Sequence, residues 1–237
     1  MDYIVARELN GLYILLDCFF LIGIGYLLVR LKKYWALGFG LAGAIIYFIV
    51  DYGIFYLLLG TRVVVGADPL LFLLWLSTSY GFTNFLWIWL FLDRDSKIVE
   101  WSLIIIIGWF SIAMIAQTFG GSFQTIQIQR GTGSYHGYMA ILLLAGYLYI
   151  IIRNLIYEKE APIPILKLLF IGIIVQFSWE AVLLLSGIRP QGFQPLIVNS
   201  LLETNLGIPY LFFIHRALRK QAVPLESAPL VEEALTT

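Results

Sequence analysis

Four carboxylates fall inside long apolar runs of this sequence: Asp17, Asp51 in VDYGIFY, Glu180 in QFSWE and Glu203 in SLLETNLGIPY. If such a run lies in lipid, a charged acid within it costs about 3 kcal/mol unless it faces protein or water. Glu180 and Glu203 stand clear of the ends of their runs and carry the strongest claim to function, followed by Asp51. Asp17 lies nearer an end, where an interfacial position also explains it. No Lys or Arg sits at comparable depth in these runs. At least some of the acids are therefore expected to be neutral, because burial and a shared site both favour the protonated form. A carboxyl held neutral in an apolar site is a proton donor. Glu180, Glu203 and Asp51 are the candidate catalytic residues. For any one acid the plainer alternative is a hydrogen bond between helices.

Other side chains are placed to surround a small molecule. The candidate substrate-binding set is Asp17, Tyr52, Tyr56, Tyr80, Asn84, Gln176, Trp179, Asn199 and Asn205. Aromatic faces stabilise cations, and they also simply pack. Gly207 and Pro209 predict a kink or an unwound turn in the last run, where a freed carbonyl is available to a ligand. Histidines number two, His136 and His215, too few for a zinc-dependent intramembrane hydrolase. The last run has no lysine for a retinal Schiff base, and GxSxG, HExxH, P-loop and DDxxD patterns are missing. No metal and no cofactor is expected. Cys18 is the sole cysteine, so there is no intrachain disulfide.

The elements that must position these groups are membrane helices. Of 237 residues, 60% are hydrophobic and 13% charged, with a mean hydropathy of +0.88. A soluble domain carries about 25% charged residues, so lipid is the expected main solvent. A net charge of zero, with no basic run, argues against nucleic acid. Each crossing takes about 20 apolar residues. Seven such stretches fit: 12–29, 37–58, 70–92, 101–119, 138–156, 165–185 and 195–214. The expected fold is all-α, a seven-transmembrane helix bundle over residues 1–219. A disordered cytoplasmic tail is expected over 220–237. Eleven of the 15 basic residues fall on the side of the first, third and fifth loops and the C-terminus. The other side has Arg7, Arg62, Arg130 and Arg189. Basic residues stay in the cytoplasm, so the N-terminus is expected outside and the C-terminus inside. The polar, glycine-rich segment 120–137 is the longest outer connection and a candidate cap; 158–164 is a short cytoplasmic turn.

An internal repeat is expected at an offset of 126–127 residues. Gly60-Thr61-Arg62 falls on Gly187-Ile188-Arg189, Pro69-Leu70 on Pro195-Leu196, Gly81 on Gly207 and Gly11 on Gly137. The repeats would cover 10–92 and 136–215, joined by a linker helix over 101–119, in a parallel three-plus-one-plus-three arrangement. Chance coincidence of Gly, Leu and Pro is the alternative.

With YFIVDYGIFY in the second run and Glu203 in the seventh, the layout resembles the small seven-helix integral-membrane terpene cyclases of indole- and meroterpenoid synthesis. Their Trp-Glu pair has its counterpart here in the sixth run, Trp179-Glu180, rather than in the second. The resemblance implies a metal-independent cyclase that protonates an epoxide or alkene of an isoprenoid, with a second carboxylate balancing charge and aromatic rings steadying a carbocation. The alternative is a proton-coupled or facilitative small-molecule transporter with parallel repeats. In topology the chain resembles the sugar-transporting SWEET proteins, without their proline-glutamine signature. The expected partners are the lipid bilayer and a hydrophobic small molecule, in a plasma or bacterial inner membrane. The sequence leaves the oligomeric state open.

Overall fold

A computed structural model describes residues 6–131, 135–157, 162–189 and 192–221. In chain order the elements are β1 (Arg7–Asn10), α1 (Gly11–Arg30), α2 (Tyr34–Phe48, continuing as a π-helix Ile49–Leu58), β2 (Arg62–Val65), α3 (Pro69–Leu92), α4 (Ile98–Phe119), β3 (Thr125–Arg130), α5 (His136–Ile156), α6 (Ile165–Leu185), α7 (Phe193–Leu202) and α8 (Ile208–Gln221). Helix starts are specified locally. Asn10 accepts from the Tyr13 N–H at 3.1 Å. Asp68 accepts from the Leu71 N–H at 3.0 Å, with Pro69 in the first turn.

The result is a mostly helical bundle in which, among the described residues, six helices are long and apolar enough to cross a membrane. The seventh expected stretch is divided between α7 and α8 by a turn over 203–207. Pro209 has no N–H to give to the carbonyl four residues back, and its ring crowds that carbonyl, so the helix restarts there. The helix α8 extends to Gln221, past the expected start of the tail; 222–237 and most of the 158–164 turn lie outside the described residues.

The bundle is apolar outside and holds a set of polar residues inside its largely apolar core. Phe19, Ile22 and Tyr26 of α1 and Leu144, Leu148 and Leu155 of α5 are exposed, whereas Asp17, Asp51, Ser77, Ser79, Asn84 and Glu180 are buried. The central helix is α3, with 83% of its apolar window buried. It lies closest to α2, where two glycines meet. A Cβ on Gly81 would stand 2.8 Å from the Gly43 carbonyl oxygen, closer than any real contact. Without a hydrophobic force between helices, such small residues let backbones approach and pack.

The expectation of an all-helical chain needs one correction. Among the described residues, three short antiparallel strands form a sheet in the order β1-β3-β2. Four to six residues each, they leave little alternation to read in the sequence. The segment 120–137, expected as a cap, supplies the middle strand: Arg7 pairs with Ile128 on one side and Arg62 with Arg130 on the other. Past β1, the Glu8 N–H donates to the Ile188 carbonyl at 2.8 Å, so the turn after α6 lies along that edge.

The α2 and α6 helices end alike. Gly60 and Gly187 both take positive φ, +60° and +76°, where a side chain would be strained. In sequence Asp51 and Glu180 are 129 residues apart, as are Gly43 and Gly172, but Gly60 and Gly187 are 127 apart. The first segment thus holds two extra residues, and the π-helix over 49–58 takes them up, because i→i+5 winding places more residues in each turn.

At the opposite end of the bundle, Asp93 closes α3 onto α8. Its Oδ1 accepts from Arg219 Nε at 2.7 Å and lies 2.9 Å from His215 Nε2, and its Oδ2 pairs with Arg219 Nη2. Partial burial pushes the Asp93 carboxyl up, but the hydrogen bonds from Arg219 and His215 outweigh it and hold it below the usual range. Lys33 pairs with Asp95 beside this cluster.

Candidate functional site

Beneath the sheet lies a cavity of about 430 Å³. Its walls come from α2, α3, α5, α6 and the α7–α8 break. They are apolar over most of their area: Ile46, Val50, Phe55, Phe85, Ile88, Leu142 and Leu211. Polar groups gather at the sheet end, where Arg7, Asp51, Arg62, Tyr80, Arg130, Gln176 and Glu203 line it. Past Phe85 and Ile88 the interior is filled. Leu86, Trp87 and Trp89 are at most 1% exposed, and Trp89 packs on Phe39 and His215. The cavity therefore stops within the bundle. On its flank, the lining residues Ile46 of α2, Leu142 of α5 and Tyr210 of α8 are exposed. Tyr210 donates to the Leu142 carbonyl at 2.9 Å, tying one lip together.

The sequence placed no cation near the acids, and here the structure differs. All four arginines of the sheet end fold inward. Asp51 Oδ1 accepts from Arg62 Nε at 3.2 Å and Nη2 at 2.8 Å, and from Arg130 Nη2 at 3.4 Å. Its Oδ2 accepts from the Tyr80 hydroxyl. Glu180 has a matching pair. Arg189 lies against Oε2, and Arg7 Nη2 stands 3.8 Å from Oε1. Each acid is thus met by the arginine two residues past the glycine that ends its own helix, and by an arginine from one of the first two strands of the sheet order, β3 for Asp51 and β1 for Glu180. Long side chains at strand ends reach where the backbone of a span does not. The sequence signal was available: these are the only four basic residues assigned to that side.

The cations perturb one another. Burial, then repulsion from Arg130, draws the Arg7 guanidinium down to about 10 despite Glu180. Burial and Arg130 also lower Arg62. For Arg130 burial pulls down, but Asp51 and then Tyr80 outweigh it and the net shift is upward. A guanidinium is not deprotonated in proteins, so all three remain cations.

Glu203 stands apart. Among the described residues it has no ion pair within 4 Å. It sits at the helix break, half-buried, and accepts from Gln176 Nε2 at 3.1 Å. The same amide nitrogen donates to Glu180 Oε1 at 3.3 Å, and the Thr204 hydroxyl donates to Gln176 Oε1 at 2.6 Å. The Glu180 carboxylate, which only accepts, fixes which end of the Gln176 amide is the donor, and the Thr204 hydroxyl, able to serve either way, then donates to the other end. Gln176 therefore joins the Glu180 cluster to Glu203.

Of the expected catalytic residues, Asp51 and Glu203 line the cavity; Glu180 lies behind it, with Asn199 donating to its Oε1 at 3.1 Å. Of the expected binding residues, Tyr80, Gln176 and Trp179 line it, Tyr80 stacking on Trp179 with centroids 6.4 Å apart. The rest do not line it. Tyr52 and Tyr56 stack with Phe48 along a neighbouring stripe of α2. Asn84 is buried on α3. Asn205 accepts from the Tyr147 hydroxyl and donates to the Ser200 carbonyl, bracing the break. Asp17 accepts from Trp75 Nε1 at 3.0 Å on the α1 side. Tyr47, Phe55, Phe85 and three of the arginines, Arg7, Arg62 and Arg130, complete the lining. Comparison with protein-family models, with curated proteins and with solved structures finds no match to this chain.

Proposed function

We propose that this chain is a multi-pass integral membrane enzyme, a metal-independent cyclase of the terpene-cyclase kind. It would cross the bilayer seven times with α7 and α8 as one broken span, N-terminus outside, in a plasma or bacterial inner membrane. The observation that carries this reading is the isolation of Glu203: one acid without an ion pair in an apolar cavity closed at its inner end, while Asp51 and Glu180 each face two arginines. A protonated Glu203 would give its proton to an epoxide oxygen or a terminal alkene carbon of a bound prenyl chain. Ring closure follows as the alkene π electrons attack the cationic carbon. Loss of a proton from the final cation to a carboxylate ends the sequence, so the product is an isomer of the substrate. The rings of Tyr47, Tyr80, Phe55 and Trp179 line the same cavity and would steady a carbocation formed there. This chemistry needs neither metal nor diphosphate.

The test is incubation of the purified protein, in nanodiscs, with a farnesyl alcohol carrying a terminal epoxide, followed by mass spectrometry for cyclised isomers of unchanged mass. Glu203→Gln should abolish product. Equal product from Glu203→Gln, or none from wild type with any prenyl epoxide, would sink the reading.

A second reading, transport, is favoured by the paired arrangement of Asp51 with Arg62 and Arg130 and of Glu180 with Arg189 and Arg7. That arrangement suits a parallel repeat over 10–92 and 136–215, with a substrate site between the halves. Uptake of a labelled solute into proteoliposomes, with no isomerisation, would favour it.

A further inference from the structure

We propose that the sheet end of the cavity is a headgroup site for an anionic amphiphile, one with a carboxylate or a phosphate monoester at the end of an apolar chain that enters sideways between α2 and α5. Charge is the first ground. Four guanidiniums, Arg7, Arg62, Arg130 and Arg189, meet three carboxylates, Asp51, Glu180 and Glu203, leaving at least one positive charge in excess at the sheet end. Unused donors are the second. Among the described residues, Arg7 Nε and Nη1, Arg62 Nη1 and Arg130 Nε are buried with no hydrogen-bond partner, and all three residues line the cavity. A buried, unpaired donor on a charged group is costly, and an oxyanion is the acceptor that satisfies several at once. Arg7 and Arg62 are 2% and 3% exposed, so their geometry is fixed rather than adaptable.

Shape is the third ground. Away from the arginines the walls are apolar, and the exposed lining residues Ile46, Leu142 and Tyr210 lie on the apolar flank of the bundle. Among the described residues, α2 and α5 do not pack along their lengths, so a chain can pass between them. A ligand already dissolved in the bilayer reaches the site without crossing water.

The inference uses the cavity of the proposed function but not its proton chemistry. Binding of farnesoic acid, farnesyl monophosphate and farnesol to the full chain in mild detergent would be measured by titration calorimetry. At least one anion should bind about tenfold or more tighter than the alcohol, as expected of a charge-assisted hydrogen-bond set. Which anion is tighter distinguishes carboxylate from phosphate. Arg130→Gln should bring the preference to within about threefold, and Arg7→Lys should keep part of it. Should Arg130→Gln fail to fold, the comparison in wild type and in Arg7→Lys decides. Equal binding of all three ligands to wild type would overturn the inference and assign the spare donors to water. Glu203→Gln separates the two ideas. If the headgroup site is right and the proton chemistry wrong, that variant keeps the anion preference while wild type itself forms no cyclised product. If the reverse holds, it loses turnover while wild type shows no preference.

Discussion

Arg62 donates through both Nε and Nη2 to one oxygen of Asp51, at 3.2 and 2.8 Å, eleven residues back along the chain. The contact spans the turn in which Gly60 reverses the backbone, so the left-handed glycine and the ion pair are parts of one device. Both partners are buried, at 3% and 1% exposure, and Arg130 shares the same oxygen.

Breaking that pair from one side leaves a buried charge without its partner. Asp51→Leu or Arg62→Met should each cost about 3–5 kcal/mol, while the double variant should cost less than their sum. Unfolding in mixed micelles measures all three; strict additivity would mean that the two side chains do not interact.

Glu203→Gln preserves size and can still meet the Gln176 amide, so the fold should be retained. If Glu203 is the proton donor, turnover should fall by at least about a hundredfold. Gln176→Leu should also lower turnover by detaching Glu203 from the Glu180 cluster. Single-turnover rates at saturating substrate separate these losses from weakened binding.

Gly81→Ala places a methyl carbon against the Gly43 carbonyl and 3.1 Å from Ala44 Cα. Neither is a flexible side chain, so α2 and α3 must part, at about 1–3 kcal/mol. Gly25→Ala in α1 meets nothing within 4 Å and should be neutral or gain about 0.5–1 kcal/mol in helix propensity. Thermal melts of the two variants side by side give the contrast; equal melting points would remove the close approach as a determinant of packing.

The Asp93 carboxyl titrates lower in the folded chain than its ordinary value of about 3.9, so it favours folding while ionised. That contribution is complete above the ordinary value and is lost as pH falls through the lower folded one. Melting temperature should therefore drop on acidification below about pH 4, and the acid-sensitive part should shrink in Asp93→Asn. An unchanged acid profile in that variant would show that the α3–α8 latch is idle.

How much of this was legible from the residues depends on the kind of signal. Acids in apolar runs are rare enough to be conspicuous, and two of the three proposed catalytic ones line the cavity. The helices followed from hydropathy alone. The interruption at 203–207 was expected from Gly207 and Pro209, though it begins earlier than either. The arginines were missed because depth was judged along the backbone, whereas their long side chains reach inward, three from strand ends and Arg189 from the turn after α6, to Asp51 and Glu180. Tyr52 and Tyr56 fall outside the cavity lining, and two aromatic stripes of α2 made them hard to tell from those inside it. The inward one is Tyr47, Asp51 and Phe55; its neighbour, Phe48, Tyr52 and Tyr56, stacks on itself. The choice between them depends on what stands opposite, which a single helix does not record.

The sheet also sets a timetable for biogenesis. The first strand finds its neighbour β3 only after four helices have been made, since Arg7 pairs with Ile128, and its other edge waits for Ile188. A chain emerging from the ribosome therefore holds Arg7 unmatched until most of the protein exists. The roof over the cavity is finished late in synthesis, and a truncated product ending before residue 188 would carry an open vestibule and a raw strand edge, the features by which a quality-control protease can tell an unfinished copy from a finished one.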